Sequence, residues 1–108
     1  IIRAEMYFET VDLSKMATSI VQDFQQSNRI AKITIHPNLT CYGDARLLRV
    51  ALENLLENAW KYTSQTEQTE IEFGQLEHVF FIQDNGAGFD MKQVDRLFGA
   101  FQRLHRQE

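Results

Sequence analysis

From Asp44 to Ser64 the chain reads DARLLRVALENLLENAWKYTS, and no glycine or proline interrupts it. Asp44 follows Gly43 and can cap the free amides of a first turn, while Ala45, Leu47 and Leu48 open a periodic run, so this stretch is a helix start followed by a long helix. At about 100° per residue the run separates into three faces. Leu48, Leu52, Leu55, Leu56 and Ala59 form one broad apolar stripe. Arg46, Arg49, Glu53 and Glu57 cluster on a solvated side, with Arg49 and Glu53 spaced for an i, i+4 pair. Asn54, Asn58 and Lys61 fall on neither: they stack at i, i+4 and i+7 between Leu47, Val50 and Ala51, as polar groups in a cleft wall would. For an isolated Asn-x-x-x-Asn, amides that satisfy nearby backbone or sit at a wet edge are the better reading. The motifs further along the chain reverse that preference.

With 108 residues, 44% of them hydrophobic, the chain is expected to be a single domain spanning 1–108 with one core. It does not begin with Met, which suggests a piece of a larger protein. The formal net charge of −4, with no block of basic residues, disfavours a nucleic-acid partner. Cys41 stands alone, so neither an internal disulfide nor a cysteine-rich zinc site fits, and a reducing, cytoplasmic compartment is expected. No apolar run approaches the length of a membrane span and the first residues lack a signal-peptide pattern, so any membrane anchor would belong to the parent protein.

The remaining elements read in order. Met6 to Thr10 alternates as a short strand ending at Val11-Asp12, where Asp12 can cap a helix. Leu13, Met16, Ala17, Ile20, Val21 and Phe24 then take helical spacing, closing near Ser27-Asn28. Ala31 to Ile35 is a strand broken by His36-Pro37-Asn38, and Thr40 to Tyr42 is a brief second run. After the long helix, Ile71 and Phe73 alternate with Glu70 and Glu72, Gly74 to Glu77 reads as a turn, and HVFFIQ (78–83) reads as a strand covered on both faces. His36 and His78 read as structural. Trp60, on the outer face near Glu53 and Glu57, is either covered by another part of the same chain or a contact for a partner domain, and the first is preferred. The order suggests an α+β fold, a two-layer sandwich with helices on one face of a mixed sheet.

The buried strand runs into Asp84-Asn85-Gly86-Ala87-Gly88-Phe89-Asp90. Asn-Gly after a strand is ordinarily a hairpin signal. Here Asp90 can cap and Met91, Val94, Leu97 and Phe98 take helical spacing, so a short helix is expected, with the glycines serving close backbone approach or positive φ. Asp84, at the end of a central strand, offers only acceptors when ionised and so calls for an N–H ligand. Adenine's exocyclic amine is such a group. Guanine presents a carbonyl there, and the cost of an unpaired buried polar group predicts preference for ATP over GTP.

Asn-x-x-x-Asn-x-x-Lys on a helix, then Asp-x-Gly-x-Gly after an apolar strand, then Phe98-x-x-Phe101, agree in spacing, order and context. Together they make the chain resemble the catalytic, ATP-binding domain of sensor histidine kinases, a branch of the superfamily that includes gyrase, a heat-shock chaperone and mismatch-repair proteins. ENLLENAWKYT resembles the family's N box, DNGAGFD its first glycine box and LFGAFQRLH its F box, and FQRLH is similar to kinases that accompany PAS or phytochrome sensors. The resemblance implies a Bergerat-type ATP-binding fold with ATP and Mg²⁺. It implies Asn58 as the Mg²⁺ ligand, a neutral hard oxygen donor, and Lys61 as a phosphate-neutralising cation. Tyr62 would line the pocket, Asp84 would take the adenine amine, and Gly86 and Gly88 would let the backbone approach the nucleotide. Phe98, of the F box, would border the pocket and Arg103 would reach the phosphates from the lid.

The resemblance also bears on reaction type. Hydrolytic members of the superfamily are expected to carry a glutamate base where this chain has Asn54, and an amide cannot take a proton from water. Glu53 and Glu57 point elsewhere on the helix. The implied activity is a protein-histidine kinase that passes the γ-phosphoryl group of Mg-ATP to a histidine on a separate dimerisation domain of the same, homodimeric protein, with a response regulator downstream. The second glycine box and the closing strands do not follow Phe101, so the chain is expected to stop within the ATP lid. None of His36, His78 and His105 resembles the acceptor, and the fragment is expected not to phosphorylate itself. A nucleotide-binding or degenerate docking module is the alternative, and an anti-sigma type serine/threonine kinase a less favoured third.

Overall fold

The structure, a computed structural model, describes residues 5–26, 28–86 and 93–96. Strand β1 (Phe8–Asp12) leads into helix α1 (Leu13–Gln22), which Asp12 caps by accepting a hydrogen bond from the Lys15 amide at 2.9 Å. A 3₁₀ turn (Asp23–Gln26) follows, then β2 (Ala31–Ile35) and β3 (Thr40–Asp44). Helix α2 (Ala45–Tyr62) precedes β4 (Thr69–Leu76), β5 (Val79–Asp84) and β6 (Gln93–Arg96).

Among the described residues the strands form two sheets. β1 and β3 pair as an antiparallel ribbon, and the larger sheet has the order β2-β4-β5-β6, with β2 parallel to β4 and the other pairs antiparallel. Both helices pack against each other and onto the larger sheet, so the expected α+β sandwich on a mixed sheet is the fold observed. The core joins Leu13, Ala17, Ile20 and Val21 of α1 to Leu48, Leu52, Leu56 and Ala59 of α2, over Ile71, Phe73, Phe80 and Ile82 of the sheet. Leu55, also assigned to the stripe, packs at its margin and is only partly buried.

Three local expectations change. Residues 93–96 are a strand, not part of a helix: β6 returns antiparallel along β5, with Ile82 opposite Asp95 and Asp84 opposite Gln93. A ladder along the open edge of β5 outweighs the weak helical spacing of Val94 with its neighbours, and a β-branched residue suits it. Gly74 lies inside β4, and the turn is shorter, at Glu77-His78, with Glu77 at φ 58°. A Cβ at Gly74 would meet the Phe81 and His36 rings at 2.9–3.0 Å, so the glycine makes room for rings lying over the strand. Finally, β5 is fully covered on one face only: Phe80, Ile82 and Asp84 are buried, whereas Val79, Phe81 and Gln83 are half-buried. Phe81 meets the edge of His36, whose ring also bonds Glu72.

Candidate functional site

Two elements frame the site. The first is the face of α2 about a quarter-turn from the charged side, where Asn54, Asn58 and Lys61 are all exposed, as are Leu47 (42%), Val50 (54%) and Tyr62 (47%). Burial of Leu48, Leu52, Leu56 and Ala59 fixes the rotation of the helix, and that rotation presents the Asn-Asn-Lys row outward. The helix is anchored at its start by Asp44, which accepts from the amides of Arg46 (2.9 Å) and Leu47 (3.4 Å), from the Tyr7 amide (3.0 Å) and from the Arg46 guanidinium. Those bonds, the Arg46 side chain foremost, hold the Asp44 carboxyl down at about 2. The Arg49–Glu53 pair forms at 3.3 Å.

The second element is the end of β5. Asp84 is 1% exposed, on the helix-facing side of the strand, and its Oδ1 accepts a hydrogen bond from the Gly86 amide at 2.8 Å. Asn85 ties this turn to the start of β4: its Oδ1 accepts from the Glu70 amide and its Nδ2 donates to the Gln68 carbonyl, both at 2.9 Å. Gly86 rests on the last turn of α2, because a Cβ there would lie 2.5 Å from the Tyr62 carbonyl oxygen. Close approach is therefore the reason for the glycine, and what it approaches within the chain is helix backbone.

The fold thus brings Asp84 and Gly86 up against the end of α2 that carries Lys61 and Tyr62, with Asn58 and Asn54 one and two turns back along the same exposed face. Gly88, Phe98 and Arg103 lie outside the described residues. Sequence reasoning did not single out Asn85, whose only visible signal was the Asn-Gly pair, nor Arg29, which bonds the end of α2 from the other side. A buried carboxylate acceptor beside exposed amide oxygens and an ammonium is a donor set that fits an adenine amine, a hard cation and phosphates.

Known proteins match over the same residues. The family described as histidine kinase-, DNA gyrase B-, and HSP90-like ATPase matches residues 43–108, more than half of the chain. The methanogenesis regulatory histidine kinase FilI of Methanothrix harundinacea (strain 6Ac) is 40% identical over 65 residues, which cover 56% of this chain and 7% of that protein. Cyanobacterial phytochrome A of Nostoc sp. is 37% identical over 82 residues, covering 72% and 11%. Among solved structures, the cytoplasmic segment of histidine kinase QseC is similar with a TM-score of 0.61 at 23% identity, covering 91% of this chain and 60% of that one. The fold and the site define an ATP-binding domain of the sensor histidine kinase type. The chain belongs to the histidine kinase-, DNA gyrase B-, and HSP90-like ATPase family. Among the described residues no helix is long and apolar enough to cross a membrane.

Proposed function

We propose that these residues form one catalytic unit that binds Mg-ATP and passes its γ-phosphoryl group to a histidine on a separate helical dimerisation domain of the same protein, which then serves a response regulator. The observation that carries this reading is the meeting of buried Asp84 and Gly86 with the Lys61-Tyr62 end of α2. Asp84 accepts the adenine amine and sets the base, Tyr62 borders it, and Gly86, with Gly88, lets the backbone come close. Asn58 would supply an oxygen to Mg²⁺, which would neutralise phosphate charge. Lys61 adds positive charge toward the phosphates, and the resemblance gives Arg103 a share of that role and Phe98 one in binding the nucleotide.

In the transfer, the lone pair of an imidazole nitrogen attacks the γ-phosphorus and a P–N bond forms. The bond from the γ-phosphorus to the β,γ-bridging oxygen breaks, its electron pair leaves with ADP, and the imidazole proton passes to solvent. A neutral imidazole needs no base before attack, whereas water does. Asn54 supplies none, so transfer outruns hydrolysis, and positioning with charge neutralisation provides the rate. The test is incubation of the full chain with γ-labelled ATP, Mg²⁺ and a histidine-bearing dimerisation domain. Label on the partner that survives base and is lost in acid is the expected result. ATP binding with no transfer to any such partner would leave a docking module instead.

A further inference from the structure

Trp60 and Arg29 form a group that the site so far described does not use. Phe24 stacks on the indole with ring centroids 5.1 Å apart, and the Arg29 guanidinium carbon lies 3.7 Å from the Trp60 ring centroid. The same guanidinium is committed in three directions. Its Nη1 donates to the Trp60 carbonyl at 2.7 Å, and its Nη2 donates to the hydroxyls of Thr63 and Thr69, each at 2.7 Å. Thr63, the residue that ends α2, in turn donates its hydroxyl to the Ala59 carbonyl at 2.8 Å, and Thr69 donates to the Thr63 carbonyl at 3.2 Å.

A helix ends with carbonyls that have no partner in the next turn. Arg29 satisfies the Trp60 carbonyl directly and, through two threonine hydroxyls, braces the Ala59 and Thr63 carbonyls, which also accept the amides of Thr63 and Thr66, and a cation at a helix C-terminus is favourably placed in the helix field. The turn it closes is the one that carries Lys61 and Tyr62, and Tyr62's carbonyl is the surface on which Gly86 rests. The core stripe from Leu48 to Ala59 holds the rest of α2 without help from Arg29.

We propose that Arg29, from the stretch just before β2, is a positioning residue of the nucleotide site: it fixes the last turn of α2 so that Lys61 and Tyr62 face the Asp84–Gly86 turn in register. This rests on the reading of that site as an ATP pocket. The planar fork is what the role requires, since a lysine ammonium carries the charge without two nitrogens set to bond a carbonyl and two hydroxyls together.

The experiment compares the full chain with Arg29→Met and Arg29→Lys by Mg-ATP calorimetry, thermal unfolding and the emission of Trp60, the sole tryptophan. The wild-type emission is expected to change when Mg-ATP binds. Arg29→Met should bind at least about tenfold more weakly, the scale of one lost charged hydrogen bond, with a smaller emission change, and Arg29→Lys should fall between. A lower unfolding temperature with unchanged affinity and emission response would make Arg29 merely structural and overturn the inference. If Arg29→Met does not fold, Arg29→Lys and Thr69→Val decide by the same readout: weaker binding supports the role and wild-type affinity removes it. A wild-type chain that binds no Mg-ATP would instead strike the proposed function.

Discussion

Asp84 and Gly86 act as a pair: one buried carboxylate, and one absent side chain that lets it be placed. The Gly86 amide donates to Asp84 Oδ1 at 2.8 Å, and the glycine's open side faces Tyr62 backbone, which has no flexible end to give way. Gly86→Ala should therefore push the turn off α2. We expect a stability loss of about 1–3 kcal/mol, as for overpacking elsewhere, measured by denaturant unfolding, and weaker Mg-ATP binding measured by calorimetry. Retention of both would show that the turn does not depend on this contact. Asp84 was legible in the sequence, because an apolar run ending in Asp-Asn-Gly places a carboxylate at the end of a covered strand. The neighbour of Gly86 was not, since nothing local to DNGAG points to Tyr62. Trp60 was legible as covered by its own chain, but Arg29 as its cover was not, because a lone arginine before a strand carries no pattern.

Among the elements, α2 carries the proposed site residues Asn54, Asn58, Lys61 and Tyr62, and Asp44 docks it. Asp44 closes β3, caps α2 and accepts the Tyr7 amide next to β1, so three elements meet on one carboxylate. Its folded value of about 2 lies below the ordinary value near 3.8, principally through the Arg46 side chain and then the Tyr7 amide. A depressed carboxyl stabilises fully above its unfolded value and loses that contribution as pH falls toward its folded value. Acid should therefore cost stability between about pH 4 and pH 2 in the wild type. Asp44→Asn should start lower and change less across that window, as urea unfolding at several pH values would show; parallel pH profiles would contradict the assignment. The faces of α2 were legible because helical period alone sorts them. Residues 93–96 misled for the converse reason: local spacing favoured a helix, while the open edge of β5, a property of the sheet, favoured β6.

Across the whole molecule, the order of elements was readable and their pairing was not. Strand, helix, two strands, long helix and two strands follow from period and turn residues, and that order predicts helices on a sheet. That β1 joins β3 in a separate ribbon, while β2 lies parallel to β4 across the intervening ribbon strand and helix, depends on contacts far apart in sequence. This arrangement sets the end of β5 beside the end of α2 and so brings two distant motifs together. In the proposed function Asp84 selects the base. Titration calorimetry of the full chain and of Asp84→Asn, with ATP and GTP, with and without Mg²⁺, tests it most directly. Magnesium-enhanced ATP binding is expected, with GTP weaker by about tenfold to a hundredfold and loss of ATP affinity in the variant, whose amide keeps one acceptor oxygen where the carboxylate has two. GTP bound as tightly as ATP, or a folded Asp84→Asn with unchanged ATP affinity, would contradict it.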